Sequence, residues 1–188
     1  MSFGIMFHHF HGKNHEKSQG SISTKQFVKI IKFLKKNYNL VDADIFLEKI
    51  VKKNIDKKDA CLTFDDSLKC QIDIGLPVLN KEKIQAFFFL YTSAFTNEKN
   101  MLEIFRYFRT QNYKTIDFFY NDFFSVLEKK HKKKYKHFKN SYDKKYLAQY
   151  PLYTLNDKKF RFCRDKILNK KIYELIMFDL MKKKKFNY

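Results

Sequence analysis

The stretch Ala60-Cys61-Leu62-Thr63-Phe64-Asp65-Asp66-Ser67 decides how the rest of the chain is read. Residues suited to a buried strand run straight into two adjacent carboxylates and then a small hydroxyl residue. Side chains alternate along an extended chain, so the two acids leave the strand towards opposite sides. Ligands and catalytic groups of α/β sheets and barrels gather at the carboxyl ends of the strands. An Asp-Asp pair in that place can divide labour, one carboxylate binding a cation while the other takes a proton. The plainer reading of the same pair is a charged turn after a strand.

Downstream, residues 68–79 present Ile72, Leu76 and Leu79 at helical spacing, with Pro77 late enough to bend or fray the end. Ile84 to Tyr91 reads as a second buried strand, with Thr92, Ser93 and Thr96 at its carboxyl end beside the acids. Strand, helix, strand makes a right-handed βαβ unit, so the two strands are expected to be parallel neighbours. Upstream, Ile5 to Phe10 reads as a first strand, and His8, His9, His11 and His15 crowd around its end. Four histidines so close suggest a metal cluster, although only alternate ones share a face of a strand: His9 with His11, and His8 opposite. Each taken singly also reads as an ordinary surface or hydrogen-bonded histidine. Ser23-Thr24-Lys25-Gln26 has the form of a capping box. Phe27, Ile30, Ile31 and Leu34 then form one helical face, while Lys29, Lys32, Lys35 and Lys36 take the other. Leu40-Val41 reads as a short extended link, Asp42 or Asp44 as the cap of a helix through Phe46 and Ile50, and Lys52 to Asp59 as a solvated turn.

From residue 97 the texture changes to helices. Asn97-Glu98 opens one through Phe105 and Phe108, and Thr115 or Asp117 opens another that runs into the basic end Glu128 to Lys134. Cations there suit a helix carboxyl terminus. His131 and His137 are poorly spaced for a metal. Pro151 breaks the chain, and a last helix is expected over about 165–182, burying Ile167, Ile172, Leu175, Ile176 and Leu180.

The 188 residues suffice for a domain with a real core. No run approaches the roughly 18 apolar residues of a membrane span. The start carries neither a basic leader nor a small-residue cleavage site, so the expected address is cytoplasmic. Three cysteines without close spacing argue against disulfides and a cysteine zinc site. The net charge of +19 suits an anionic partner such as nucleic acid or a lipid surface. The lysine excess comes with much Phe, Ile, Asn and Tyr, which an AT-rich coding sequence also explains, so specific nucleic-acid binding is not the leading expectation.

Phe7-His8, Ser21-Ile22-Ser23, Leu62-Thr63-Phe64-Asp65-Asp66-Ser67, Ile74-Gly75-Leu76-Pro77-Val78-Leu79 and Gln85-Ala86-Phe87-Phe88-Phe89 follow one another in a familiar order. Residues 5–96 resemble the polysaccharide deacetylase (NodB-homology, carbohydrate esterase) family. The resemblance implies an α/β fold, an incomplete (β/α) barrel over residues 1–96, with a mostly helical, basic segment over 97–188. It also implies metal-dependent hydrolytic removal of acetyl groups from a sugar or polysaccharide precursor, with zinc or a similar divalent ion. By the family pattern Asp65 is the general base, Asp66 a metal ligand, and His8 the counterpart of an amino-terminal histidine; His8, His9, His11, Ser67 and Thr92 are the candidates to line the site. A metal-bound water has its pKa lowered to about 7, and a neighbouring carboxylate can take its proton. Ser67 stands where the family has Gly, and the family's later His-x-x-x-His pair, Arg-x-Pro-Tyr and Leu-x-His motifs have no counterpart. The chain is therefore expected to be the front part of such an enzyme, inactive alone, awaiting a complementing carboxyl-terminal polypeptide and possessing no complete metal site of its own. The competing expectation is a non-catalytic basic module that binds an anionic partner through Lys129 to Lys136 and Lys182 to Lys185.

Overall fold

A computed structural model describes residues 3–96 and 98–188. Met1, Ser2 and Asn97, the last read above as a helix start, lie outside the described residues. The chain divides into two compact units, Met1–Asn100 and Met101–Tyr188.

The first unit is built on the strand that opens the sequence argument, β5 (Asp59–Phe64). Parallel strands flank it: β1 (Phe3–Phe7) on one side, β4 (Asn39–Leu40) and β6 (Phe87–Phe88) on the other. The sheet does not close. A separate short parallel pair joins β2 (Phe10–His11) to β3 (Ile22–Ser23). β5 is apolar on both faces because both are covered. Leu62 and Phe64 face a core with Phe7, Phe10, Phe27, Ile31, Ile74 and Leu79, whereas Cys61 packs with Ala43 and Phe46. The first core is largely aromatic, with Phe64 stacked on Phe88 at 4.6 Å and Phe7 edge-on to Phe27 at 4.9 Å.

Helix α1 (Thr24–Asn37) begins where the capping box places it: Ser23 accepts from the Gln26 N–H, and Gln26 reaches back to the Ser23 N–H. Phe27, Ile31 and Leu34 are its buried stripe. The expected link at Leu40-Val41 supplies a true strand, β4, before α2 (Ala43–Val51). Asp42 precedes α2 without capping it and instead accepts from the Gln85 N–H at 2.8 Å.

Pro77 does not fray the end of its helix. A π turn over Gln71–Gly75 precedes α3 (Leu76–Glu82), so Pro77 falls in the first turn of that segment. There its missing N–H is tolerated. The Asp73 carbonyl, which a regular helix would pair with residue 77, accepts instead from Lys13 Nζ at 2.8 Å. Gly75 allows a close approach, since a Cβ there would lie 3.1 Å from Phe64 Cε1.

Three expectations are corrected here. The second strand is not a buried run over 84–91: only Phe87–Phe88 is ladder, and Phe89, Leu90 and Tyr91 are exposed. As an edge strand paired on one side by β5, it lacks the second neighbour that would extend and bury it. Asp59 is not part of a solvated turn. It is fully buried at the start of β5, where it binds Lys49 Nζ at 2.8 Å, Asn39 Nδ2 at 3.2 Å and the Asp56 N–H at 2.9 Å. The basic run 128–134 is not one helix end, because the chain breaks at His131 between α5 (Ile116–Lys130) and α6 (Lys132–Ser141).

The second unit is all helix. α4 (Met101–Asn112), α5, α6, α7 (Leu155–Phe162) and α8 (Lys170–Lys183) enclose a core of Phe105, Phe108, Phe119, Phe123, Phe160, Tyr173, Ile176 and Leu180. α7 starts at a second capping box, Thr154 with Asp157. The last helix begins later than expected because residues 163–167 finish α7 as a π turn. Leu168 is then extended and Asn169 caps α8 through the Ile172 N–H at 2.9 Å. Leu175 is consequently exposed, and Ile172 only half-buried. No helix among the described residues is long and apolar enough to cross a membrane.

Candidate active site

β1 and β5 run parallel in register, Phe7 opposite Phe64, so His8 and Asp65 emerge side by side at the carboxyl edge. The ladder extends one step further, with the Asp65 N–H donating to the Phe7 carbonyl at 3.2 Å. After Asp65 the chain turns sharply through two left-handed residues, Asp66 at φ +75° and Ser67 at φ +54°. That turn brings Asp66 Oδ2 to 3.0 Å from His8 Nδ1, both side chains remaining about a third exposed (34% and 38%). Facing an acceptor-only carboxylate, Nδ1 is the donor, and a neutral ring then keeps its lone pair at Nε2.

Ser67 occupies a left-handed position, a strained one for a residue with a Cβ. Its Oγ accepts the Tyr91 N–H at 2.7 Å, tying the turn to the segment that follows β6. Thr92 comes next, exposed, in a short 3₁₀ turn over Thr92–Phe95. Asp65 is half-buried at the strand end.

Gln71 was missed by the sequence reading. It is buried to 2% exposure, and its Nε2 donates to both the His8 carbonyl (3.0 Å) and the Asp65 carbonyl. One side-chain amide therefore ties together the two strand ends that carry the site. A glutamine one turn into the helix after Asp-Asp-Ser is the only trace of this in the sequence.

The histidines do not converge. His9 stacks near His8, with centroids 6.1 Å apart, rather than pointing away from it; strand alternation ends at Phe7, so it no longer governs these side chains. His11 Nδ1 lies 2.9 Å from Ser21 Oγ. That hydroxyl already gives its hydrogen to the Ser18 carbonyl at 2.7 Å, so His11 is the donor. His15 Nε2 pairs with Asp73 Oδ2 at 2.8 Å, and this bond holds the Asp73 carboxyl below its ordinary pKa. A structural or catalytic zinc centre needs at least three protein donors. Among the described residues no group of three or more His, Cys, Asp or Glu side chains comes together. The residues present do not complete a metal centre. Two possible donors, Asp66 and His8, meet; a third does not join them.

The opposite end of β5 shows what a purely structural acid looks like. Asp59 is enclosed, and the Lys49 bond holds its carboxyl below the usual range. Asp65 and Asp66, by contrast, stand half-exposed at the carboxyl end of the strand. A groove of about 430 Å³ lies elsewhere, lined by Lys13, Thr24, Val28, Asp73, Ile74 and Pro77 among others.

Residues 52–114 match the polysaccharide deacetylase family model. Among solved structures, the chain is similar to a de-N-acetylase from Aggregatibacter actinomycetemcomitans at 19% identity, covering 46% of this chain and 36% of that one, with a TM-score of 0.39. It is also similar to IcaB from Ammonifex degensii at 22% identity, covering 47% of this chain and 37% of that one, with a TM-score of 0.40. The chain thus spans little more than a third of the length of these structures. No curated protein matches it. In the half that holds Asp65 and Asp66, the chain bears a family-level resemblance to polysaccharide deacetylases.

Proposed function

We propose that the first unit carries the Asp-Asp corner of a carbohydrate deacetylase site, whose reaction class is hydrolytic removal of acetyl groups from an acetylated sugar or polysaccharide. The observation that supports this most is the Asp66–His8 contact at 3.0 Å, formed where β1 and β5 end together, β5 and Asp66 lying within the family-matched segment. In this reading Asp65 is the general base, taking a proton from the water that attacks the acetyl carbonyl. Asp66, held by His8, is the residue set to face a cation, and Ser67 and Gln71 fix the turn that presents it. His9 and Thr92 stand on the rim, where a sugar would lie. His11 is assigned to Ser21 and the local loop rather than to the site.

The described residues do not supply the remaining ligands, so the chain alone is expected to hold a divalent ion weakly and to turn over negligibly. A complementing polypeptide is the proposed source of the missing groups. The assay is acetate release from acetylated amino-sugar oligomers by the full chain with added zinc, cobalt or nickel. The expected result is no turnover above buffer. Enzyme-like turnover that survives Asp65→Asn would remove this assignment.

A further inference from the structure

We infer that the helical unit, Met101–Tyr188, docks peripherally on an anionic lipid surface through the apolar loop tip around Leu152. The inference is independent of the deacetylase reading and uses no residue of that site.

The chain's charge is unevenly placed. The second unit holds 23 Lys and Arg against 9 Asp and Glu, so it carries +14 of the chain's +19. An AT-rich coding bias should load both units alike, yet the first carries only +5. Nor does helix electrostatics account for the excess. Lys129 and Lys130 sit in the last turn of α5, where cations suit the dipole. Lys132, Lys133 and Lys134 fall in the first turn of α6, the end that disfavours them.

Within this cationic unit the loop between α6 and α7 offers an apolar tip. Leu152 is 92% exposed, Leu155 58% and Tyr150 49%, with Pro151 between them. The loop is not a frayed strand of chain. Consecutive backbone turns close it, from the Tyr146 N–H to the Asp143 carbonyl through to the Tyr153 N–H on the Tyr150 carbonyl. Arg161 lies over the Tyr153 ring at 4.3 Å, and the Thr154 capping box pins the exit. Exposed Lys144 and Lys145 stand on the entry side, with Lys158, Lys159 and Arg161 on the exit side. Of the nearby acids, Asp157 is buried against Tyr120, Asp165 is paired with Arg164, and Asp143 is exposed, accepting the Lys145 N–H at 2.8 Å.

A pinned aliphatic tip with flanking lysines is the chemistry that combines shallow insertion with attraction to anionic headgroups. Nucleic acid would also attract the lysines. Exposed Leu152 and Leu155, however, do nothing for phosphate contacts or base stacking, which call on charge and aromatic faces.

The experiment is co-sedimentation of the full chain with vesicles of phosphatidylcholine alone and of phosphatidylcholine with phosphatidylglycerol. Binding is expected on the mixed vesicles only and should weaken as salt shortens the Debye length. Leu152→Asp, at a position too exposed to matter for folding, should weaken binding about tenfold to a hundredfold. Reversing Lys144 and Lys145 to Glu should cost about twentyfold or more, since each lysine near the surface contributes about fivefold. Equal binding to both vesicle types, or none, overturns the inference. So does binding to a single-stranded oligonucleotide that Leu152→Asp leaves unchanged while vesicle binding is absent.

Discussion

Gln71→Met tests how the candidate site is held together. Methionine keeps the length and volume of the side chain but cannot donate, so the His8 and Asp65 carbonyls both lose the Nε2 hydrogens. A buried acceptor left unsatisfied costs about 1–3 kcal/mol. These carbonyls lie at strand ends beside half-exposed side chains, where water can partly replace the amide, so the lower part of that range applies to each. The sum is about 2–3 kcal/mol of first-unit stability. With a urea slope of about 1–3 kcal/mol/M, the first-unit transition should move down by about 1 M. The chain has no tryptophan, so the transition is best followed by circular dichroism. Gln71→Glu provides the internal control. A carboxylate would face two acceptors, raising its folded-state pKa above the unfolded value. Its extra penalty should therefore be full above that raised pKa and recede as pH falls towards about 4. A shift in the Met variant below about 0.5 kcal/mol, or a Glu variant indistinguishable from Met at neutral pH, would refute the clamp.

Ser67→Gly relieves a left-handed residue but loses the Tyr91 bond, so its stability should stay within about 1 kcal/mol of the parent. Ser67→Val, β-branched at the same φ, should lose about 2 kcal/mol or more in the same denaturation assay. Asp59 has a depressed folded-state pKa, so its contribution is present above the unfolded value near 4 and is lost as pH falls through the folded one. Asp59→Asn should accordingly flatten the acid limb of the stability profile, whereas Lys49→Met, which strands a buried carboxylate, should cost about 3 kcal/mol at neutral pH. Burial pushes the Cys61 and Cys163 thiols up to about 11 and about 12, so neither should react with a thiol reagent at pH 8 until urea unfolds the chain.

Much of the first unit could be read from local pattern because local pattern is what forms it. The Ser23–Gln26 capping box, the Phe27–Ile31–Leu34 stripe and the apolar run into Asp65 are short-range signals, and each appears in the structure. Tertiary pairing was less visible. Whether residues 84–91 become a buried strand depends on a second neighbour, which periodicity does not report. Asp59 looked solvated because its partners, Lys49 and Asn39, come from other elements. Gln71 escaped for the same reason: its two acceptors are backbone carbonyls, one of them across the sheet. In the second unit, α7 went unread, although Thr154 and Asp157 form the capping box that starts it. Treating 165–182 as one helix overlooked Asn169, whose side chain caps better than it propagates. The histidine cluster misled because proximity in sequence was taken for proximity in space. His8, His11 and His15 each find a different partner.

In the proposed function, Asp66 and His8 form an unfinished corner of a metal site at the end of β5. The most direct measurement is calorimetric titration of zinc into the full chain, its Asp66→Asn variant and its His8→Gln variant. The expected result is weak binding near one equivalent that falls by about tenfold or more in each variant. Tight binding that survives both substitutions, or no binding to the parent chain, would contradict the claim.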